Sequence, residues 1–367
     1  MKSCYIHIPF CNTICTYCDF CKMYYNKKWT NKYLNELEKE IKSNYKGERL
    51  TTLYIGGGTP TCLSEEELDK LLKILTMLKL DAEYEYTIES NVETLSLEKI
   101  KILKKYGVNR VSIGVQSIVD QNIEFLGRKH NKELVQSKIR ELKENGINNI
   151  NIDLMYALPV ENIDDLQEDL EFFLSLDIPH ISTYSLIIES HTILYINNIK
   201  NIDEEIDFKM YEYICNTLKE NGYNHYEISN FSKPGYESKH NLTYWNNLEY
   251  YGFGLGASGY ISNIRYDNTR NIQKYLNGHF VKESINVDIN MKIENEFILG
   301  LRKMEGINIK DFYDKYNLDI ENIEIVKKLL KEKKLIKNSE NIFINPKYIY
   351  TSNLILIDFL GGNYGQN

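Results

Sequence analysis

Short β-branched runs alternate with longer amphipathic segments through the first half of this chain, and no other feature restricts its fold as strongly. The pattern predicts strands over 4–8, 51–55, 83–89, 110–115, 149–154 and 180–185. Between them, apolar residues recur at three- and four-residue steps over 32–44, 65–77, 97–106, 132–145 and 163–174, which is helical spacing. Ser64-Glu-Glu-Glu67 reads as a capping-box start. Strands that alternate with helices make a parallel sheet with right-handed crossovers, either open or curled into a barrel.

The rhythm breaks after about residue 186. A helix over 203–220 is followed by Tyr- and Gly-rich loops up to about 285. From about 290 the pattern is that of a small helical module, with helices over 294–304, 309–316 and 320–334. A turn and strand follow over 336–344, then a last helix over 346–360. Helices closing on a small hairpin suggest a winged-helix-like tail. The expected organisation is therefore a core over 1–190, an extension over 191–285 and a C-terminal module over 286–367.

The length of 367 residues allows one large domain and a smaller one. A net charge of −8 argues against a general nucleic-acid binder, which would show a basic footprint. Seven cysteines without a secretory segment point to the reducing cytoplasm. No apolar run approaches the roughly 20 residues of a membrane span.

In parallel α/β folds, functional residues gather at the carboxyl ends of the strands. The first predicted strand runs into Cys11, Cys15 and Cys18, spaced C-x3-C-x2-C. An iron–sulfur cube normally takes four thiolates, one per iron, so three leave one iron open to a ligand. Structural zinc would ask for a second ligand pair, which is missing. The second strand ends in Gly56-Gly57-Gly58-Thr59-Pro60, where the backbone can approach a ligand closely. This run is neither a Walker loop nor the dinucleotide fingerprint. The third strand ends at Glu89, the fourth at Gln116, and the fifth carries Asp153.

These motifs, with Tyr5-Ile-His-Ile-Pro-Phe-Cys11, Gly114-Val-Gln116-Ser117, Leu126-Gly-Arg128 and Asn151-Ile-Asp153-Leu-Met-Tyr, resemble the radical S-adenosylmethionine superfamily. Within it, the chain looks like the group of oxygen-independent coproporphyrinogen dehydrogenases and their relatives, the HemW-type haem chaperones. The resemblance implies an α/β fold: an incomplete (β/α)6 barrel with a winged-helix-like module. It implies that Cys11, Cys15 and Cys18 ligate a [4Fe–4S] cluster whose open iron chelates S-adenosylmethionine. Gly57, Gly58 and Thr59 would meet the amino-acid part, with Glu89 nearby. Tyr5, Gln116, Arg128 and Asp153 would complete the cofactor pocket. Arg128 would pair with a carboxylate and Asp153 with ribose hydroxyls.

Three features favour the chaperones over the dehydrogenases. Phe20 stands where the dehydrogenases typically carry a fourth cysteine, and a cysteine follows one step later at Cys21. The dehydrogenases' N-terminal extension is not seen ahead of Cys11. His240-Asn241-Leu-Thr-Tyr244-Trp245 matches the chaperones' H-N-x-x-Y-W signature. It implies His240 as an axial ligand to haem, with Tyr244 and Trp245 covering the macrocycle. His7 is a candidate for contact with the cluster, while Cys21 is read as a bystander and Cys62 and Cys215 as buried small hydrophobes. Ala157-Leu-Pro159-Val departs from the relatives' usual Gly-Leu-Pro-Gly. The function implied is a haem chaperone that binds haem and hands it to haem-requiring proteins such as membrane oxidases. Peripheral membrane contact and no nucleic acid are expected. The alternatives are oxidative decarboxylation of coproporphyrinogen III and radical chemistry on another substrate.

Overall fold

The computed structural model describes residues 2–362 and residue 364. Its centre is one sheet of twelve strands. These are β1 (Lys2–Ile8), β2 (Leu50–Gly57), β3 (Leu80–Asn91), β4 (Arg110–Gln116), β5 (Asn149–Tyr156) and β6 (His180–Ser185). They are followed by β7 (Asn224–Glu227), β8 (Asn230–Ser232), β9 (Tyr250–Phe253), β10 (Ser258–Ile261), β11 (Ile264–Asn268) and β12 (Val281–Asn286). The spatial order is β12-β11-β10-β9-β1-β2-β3-β4-β5-β6-β8-β7.

Strands β1 to β6 are parallel and adjacent in chain order, as the alternation predicts. The helices Lys27–Asn44, Glu65–Leu75, Leu97–Lys105, Lys132–Glu144 and Ile163–Ser175 form the crossovers. The capping box at Ser64 is present, its side chain accepting from Glu67 N. The sheet does not close on itself, so the barrel is incomplete.

All seven residues of β4 are buried, yet they alternate strictly. Val111, Ile113 and Val115 enter the apolar core, whereas Arg110, Ser112, Gly114 and Gln116 line an interior cavity. On β5, Ile150, Ile152 and Leu154 enter the core while Asn151, Asp153 and Met155 line the cavity. A strand whose side chains point to opposite faces thus gives the sheet an apolar convex side and a polar concave side.

Residues 186–285 are more ordered than the expected loops. The Gly-rich stretch after the H-N-x-x-Y-W segment is strand β9 and its turn into β10, not a free loop. β9 runs parallel to β1, and β10–β12 continue the sheet antiparallel. At the opposite edge β8 adds antiparallel to β6, and β7 adds antiparallel to β8. The tail has the helices Ile289–Gly300, Ile309–Tyr316 and Glu324–Lys331 and a three-stranded sheet of Ile307–Asn308, Asn341–Ile344 and Leu335–Lys337. The single helix expected over 346–360 is instead three short turns. Among the described residues no helix is long and apolar enough to cross a membrane.

Candidate functional site: a polar cavity under the cysteine loop

The carboxyl ends of β1–β6 open into a cavity of about 380 Å³, within the range of small-molecule sites. Cys11, Cys15 and Cys18 all line it. Their loop is pinned where it leaves and rejoins the barrel. Met23 N donates to Pro9 O at 2.7 Å and Tyr25 N to Cys11 O at 2.8 Å, pairing the short strands Phe10–Cys11 and Met23–Tyr24. Its middle is tied to the segment after β4, where Thr16 Oγ1 donates to Phe125 O at 2.9 Å. Burial raises the Cys11 thiol to about 11 and pushes Cys18 upward as well. Binding as thiolates therefore releases protons there. Among the described residues no three such side chains stand close enough to share one metal ion, whereas a cube takes one thiolate on each of three separate irons, which three thiols lining one cavity suit in number and chemistry.

The glycine run lies directly under this loop. Gly58 N donates to Ile8 O at 2.9 Å and Thr59 N to Phe10 O at 2.8 Å. A Cβ on Gly58 would sit 2.7 Å from Phe10 O and 2.9 Å from Cys11 Sγ, and one on Gly57 would meet the His7 ring at 2.6 Å. Only glycine allows the two segments to touch. Thr59 Oγ1 faces Cys11 Sγ at 3.7 Å.

Glu89 binds this loop from β3. Its Oε2 accepts from Gly57 N at 2.9 Å and its Oε1 from Tyr54 Oη at 2.8 Å. Burial outweighs these bonds and raises its carboxyl to about 7. Burial also raises Asp153 to about 6, against the Asn151 amide that donates to it at 2.8 Å. Gln116 ends β4 with φ of 74°, and its buried Oε1 has no partner. A strained residue with a free acceptor at a cavity wall is the form a ligand contact takes. Arg128 reaches Gly114 O, its Nη1 lies 3.8 Å from Cys15 Sγ, and its Nε is unpartnered.

The structure thus brings Cys11, Cys15, Cys18, Gly57, Gly58, Thr59, Glu89, Gln116, Arg128 and Asp153 around one cavity. Tyr5 lies outside its lining, and its hydroxyl bonds His7 Nδ1 at 2.9 Å. His7 does not turn to the thiols, since its Nε2 bonds Cys21 O at 2.7 Å. Cys21 packs toward Gly256 and is not part of the cavity lining. Phe20 is 67% exposed at the cavity mouth.

His240, expected as a haem ligand, is set apart from the cysteines. It is 1% exposed, on the helix Lys239–Trp245, which plugs the amino end of the barrel opposite the cysteines. Its Nδ1 is bonded to Thr52 Oγ1 at 2.6 Å and its Nε2 to Tyr244 Oη at 2.8 Å, so neither nitrogen is free for an iron. Burial lowers its pKa to about 3. Tyr244 meets Tyr250 edge-on, and the Arg302 guanidinium lies 5.9 Å from the Trp245 ring. Asn241, the next residue, is the one that lines the cavity. Sequence reasoning missed Tyr54 and Arg110, and it gave Asn241 a hydrogen bond to the His240 ring rather than a place in the cavity wall. Arg110 is 2% exposed at the cavity wall with an unpartnered Nε. The polar set Arg110, Ser112, Asn151 and Asp153, alternating with β-branched and leucine residues, was the available signal.

Residues 5–173 match the Radical SAM superfamily. The chain is similar to proteins named Heme chaperone HemW. The relative from Lactococcus lactis is 41% identical, over 98% of this chain and 97% of that protein. The one from Bacillus subtilis is 41% identical, over 98% and 100%. The one from Escherichia coli is 32% identical, over 83% of each. Coproporphyrinogen III oxidase (HemN) from Escherichia coli, described as a radical SAM enzyme, superposes with a TM-score of 0.86. That match covers 98% of this chain and 90% of the other at 20% identity, a likeness of fold.

Proposed function

The chain belongs to the HemW family of radical SAM proteins, and from that premise we propose that it is a haem chaperone holding a [4Fe–4S] cluster and S-adenosylmethionine in the cavity described. Cys11, Cys15 and Cys18 ligate the cluster. Bound there, the cluster would supply an open coordination position for S-adenosylmethionine. Gly57, Gly58 and Thr59 border the amino-acid part. Glu89, Gln116, Arg128 and Asp153 orient the rest through hydrogen bonds and charge. Haem is the cargo, passed in the cytoplasm to haem-requiring proteins, membrane oxidases among them.

The observation that supports this reading is the convergence of three thiols and the strand-end polar residues on one cavity, in a chain alike along its length to haem chaperones. The test is direct. Cluster-loaded protein, kept without oxygen, is titrated with haem and then mixed with an apo-haemoprotein. A Soret band that moves to the acceptor is expected. The same protein, given coproporphyrinogen III, S-adenosylmethionine and a reductant, is expected to form no protoporphyrinogen. Clear turnover of that substrate without haem binding would reverse the assignment.

A further inference from the structure

The H-N-x-x-Y-W helix Lys239–Trp245 is joined to three strands. Lys239 N and His240 N both donate to the Glu85 carboxylate at 3.0 Å, on β3. Thr243 Oγ1 and Ser3 Oγ lie 2.8 Å apart, reaching β1, and Thr52 on β2 bonds His240. A helix held this way is a fixed plug beneath the interior.

What the plug supports is the column above it. The His240 ring stacks on Tyr54 with centroids 4.9 Å apart and planes 25° apart. Tyr5 flanks both rings, at 6.1 Å from Tyr54 and 6.5 Å from His240. The Tyr54 hydroxyl donates to Glu89 Oε1, and Glu89 Oε2 accepts from Gly57 N. Imidazole, phenol, carboxylate and loop amide thus form one unbroken path. It runs from the barrel floor to the glycine run under Cys11.

We propose that His240 is a positioning residue for the S-adenosylmethionine cavity, holding Tyr54 from below and through it Glu89 and the Gly57 amide. The inference rests on the proposed reading of that cavity. The physical reason is geometric. Without the imidazole, the Tyr54 ring has a void on one face, and Thr52 and Tyr244 each lose a buried partner. Tyr54 then settles into the void and its hydroxyl leaves Glu89. The carboxylate loses a donor, and the glycine loop loses its anchor. Groups that orient ligand-contacting residues in this way typically change affinity by ~10–100-fold when removed.

The experiment uses cluster-loaded full-length protein without oxygen, with S-adenosylmethionine and haem as separate probes. His240→Ala is expected to weaken S-adenosylmethionine binding by ~10-fold or more in calorimetry. It should also blunt the change that S-adenosylmethionine induces in the paramagnetic resonance spectrum of the reduced cluster. The Soret band and haem affinity should match the wild type. Tyr54→Phe should reproduce the loss, and His240→Gln, able to bond both hydroxyls, should restore much of it. The His240→Ala, Tyr54→Phe double variant should bind no worse than the weaker single one, the sign of a shared path.

Undiminished S-adenosylmethionine affinity in a folded His240→Ala protein overturns the proposal. So does a Soret band lost in that variant, which would return His240 to the haem. If His240→Ala does not fold, Tyr54→Phe decides: full affinity there overturns the idea equally. A wild-type protein that binds no S-adenosylmethionine removes the cavity reading itself, and that failure appears before any variant is compared.

Discussion

Cys11, Cys15 and Cys18 reach the cavity from a loop that the backbone pairing around Pro9 and Met23 holds in place. Cys62 lies close by, but its thiol donates to Phe10 O at 3.2 Å and stays behind the loop. Neighbourhood in space therefore does not make a ligand. Replacing any one of Cys11, Cys15 or Cys18 by Ala should abolish the visible iron–sulfur absorbance of reconstituted protein, since each would leave an iron without its thiolate. Cys21→Ala and Cys62→Ala should keep it. Loss of the absorbance in Cys21→Ala alone would contradict the ligand set.

At the scale of elements, the connection after β5 carries two departures from easy folding. Ala157 has φ of 62°, a left-handed conformation that costs a residue with a Cβ about 1–2 kcal/mol. Glycine would remove that cost, while its freer unfolded chain takes back about 0.5–1 kcal/mol. Ala157→Gly should therefore raise the melting temperature slightly in calorimetry; a lower value would mean that the methyl packs usefully.

Glu161 closes the same turn, its Oε2 accepting from Leu158 N at 3.1 Å while Oε1 has no partner. Burial raises its pKa from 4.5 to about 8. Between those values the folded protein keeps a proton that the unfolded chain has released. Its contribution to stability is thus full below pH 4.5, falls as pH rises toward 8, and is level above. Glu161→Gln should flatten the decline in melting temperature between pH 5 and 8. Parallel declines in wild type and variant would rule Glu161 out as its source.

Among the described residues two large apolar cores stand beside a small cluster around Leu126 and Leu158. One spans Cys4 to Tyr275 across the barrel, the other Ile293 to Tyr364 in the tail. They meet through Tyr211, which packs against both cores and on Tyr350 at 5.3 Å, and through polar contacts. Lys303 Nζ donates to Asn246 Oδ1 at 2.7 Å, Asn247 Nδ2 to Lys292 O at 3.2 Å, and Met304 N to Tyr226 O at 3.1 Å. Asn246 and Asn247 directly follow the plug helix, so the tail braces the barrel floor rather than the cysteine mouth. Phe297 centres the tail core, stacked on Phe359 at 4.4 Å. Phe297→Ala should cost about 3–5 kcal/mol. In hydrogen exchange the loss should appear in the tail first, with the cluster absorbance kept. Equal loosening of β1–β6 would mean that the two cores unfold as one.

Local signals made much of this protein legible from its residues alone. The β-branched runs and the helical spacing between them determined β1–β6 and their crossovers, because each depends only on neighbours in the chain. The same local logic placed Cys11, Gly57, Glu89, Gln116 and Asp153 at strand ends, where a parallel sheet gathers them. Tertiary structure alone decided the rest. β9 pairs with β1 through contacts such as Cys4 with Tyr251, a separation that no local pattern reports. His240 and Asn241 are adjacent, yet one is sealed against Thr52 and Tyr244 and the other faces the cavity. The motif named the helix. Which of its side chains met the cavity depended on how that helix docked against strands more than 150 residues away, as its bonds to Glu85 show.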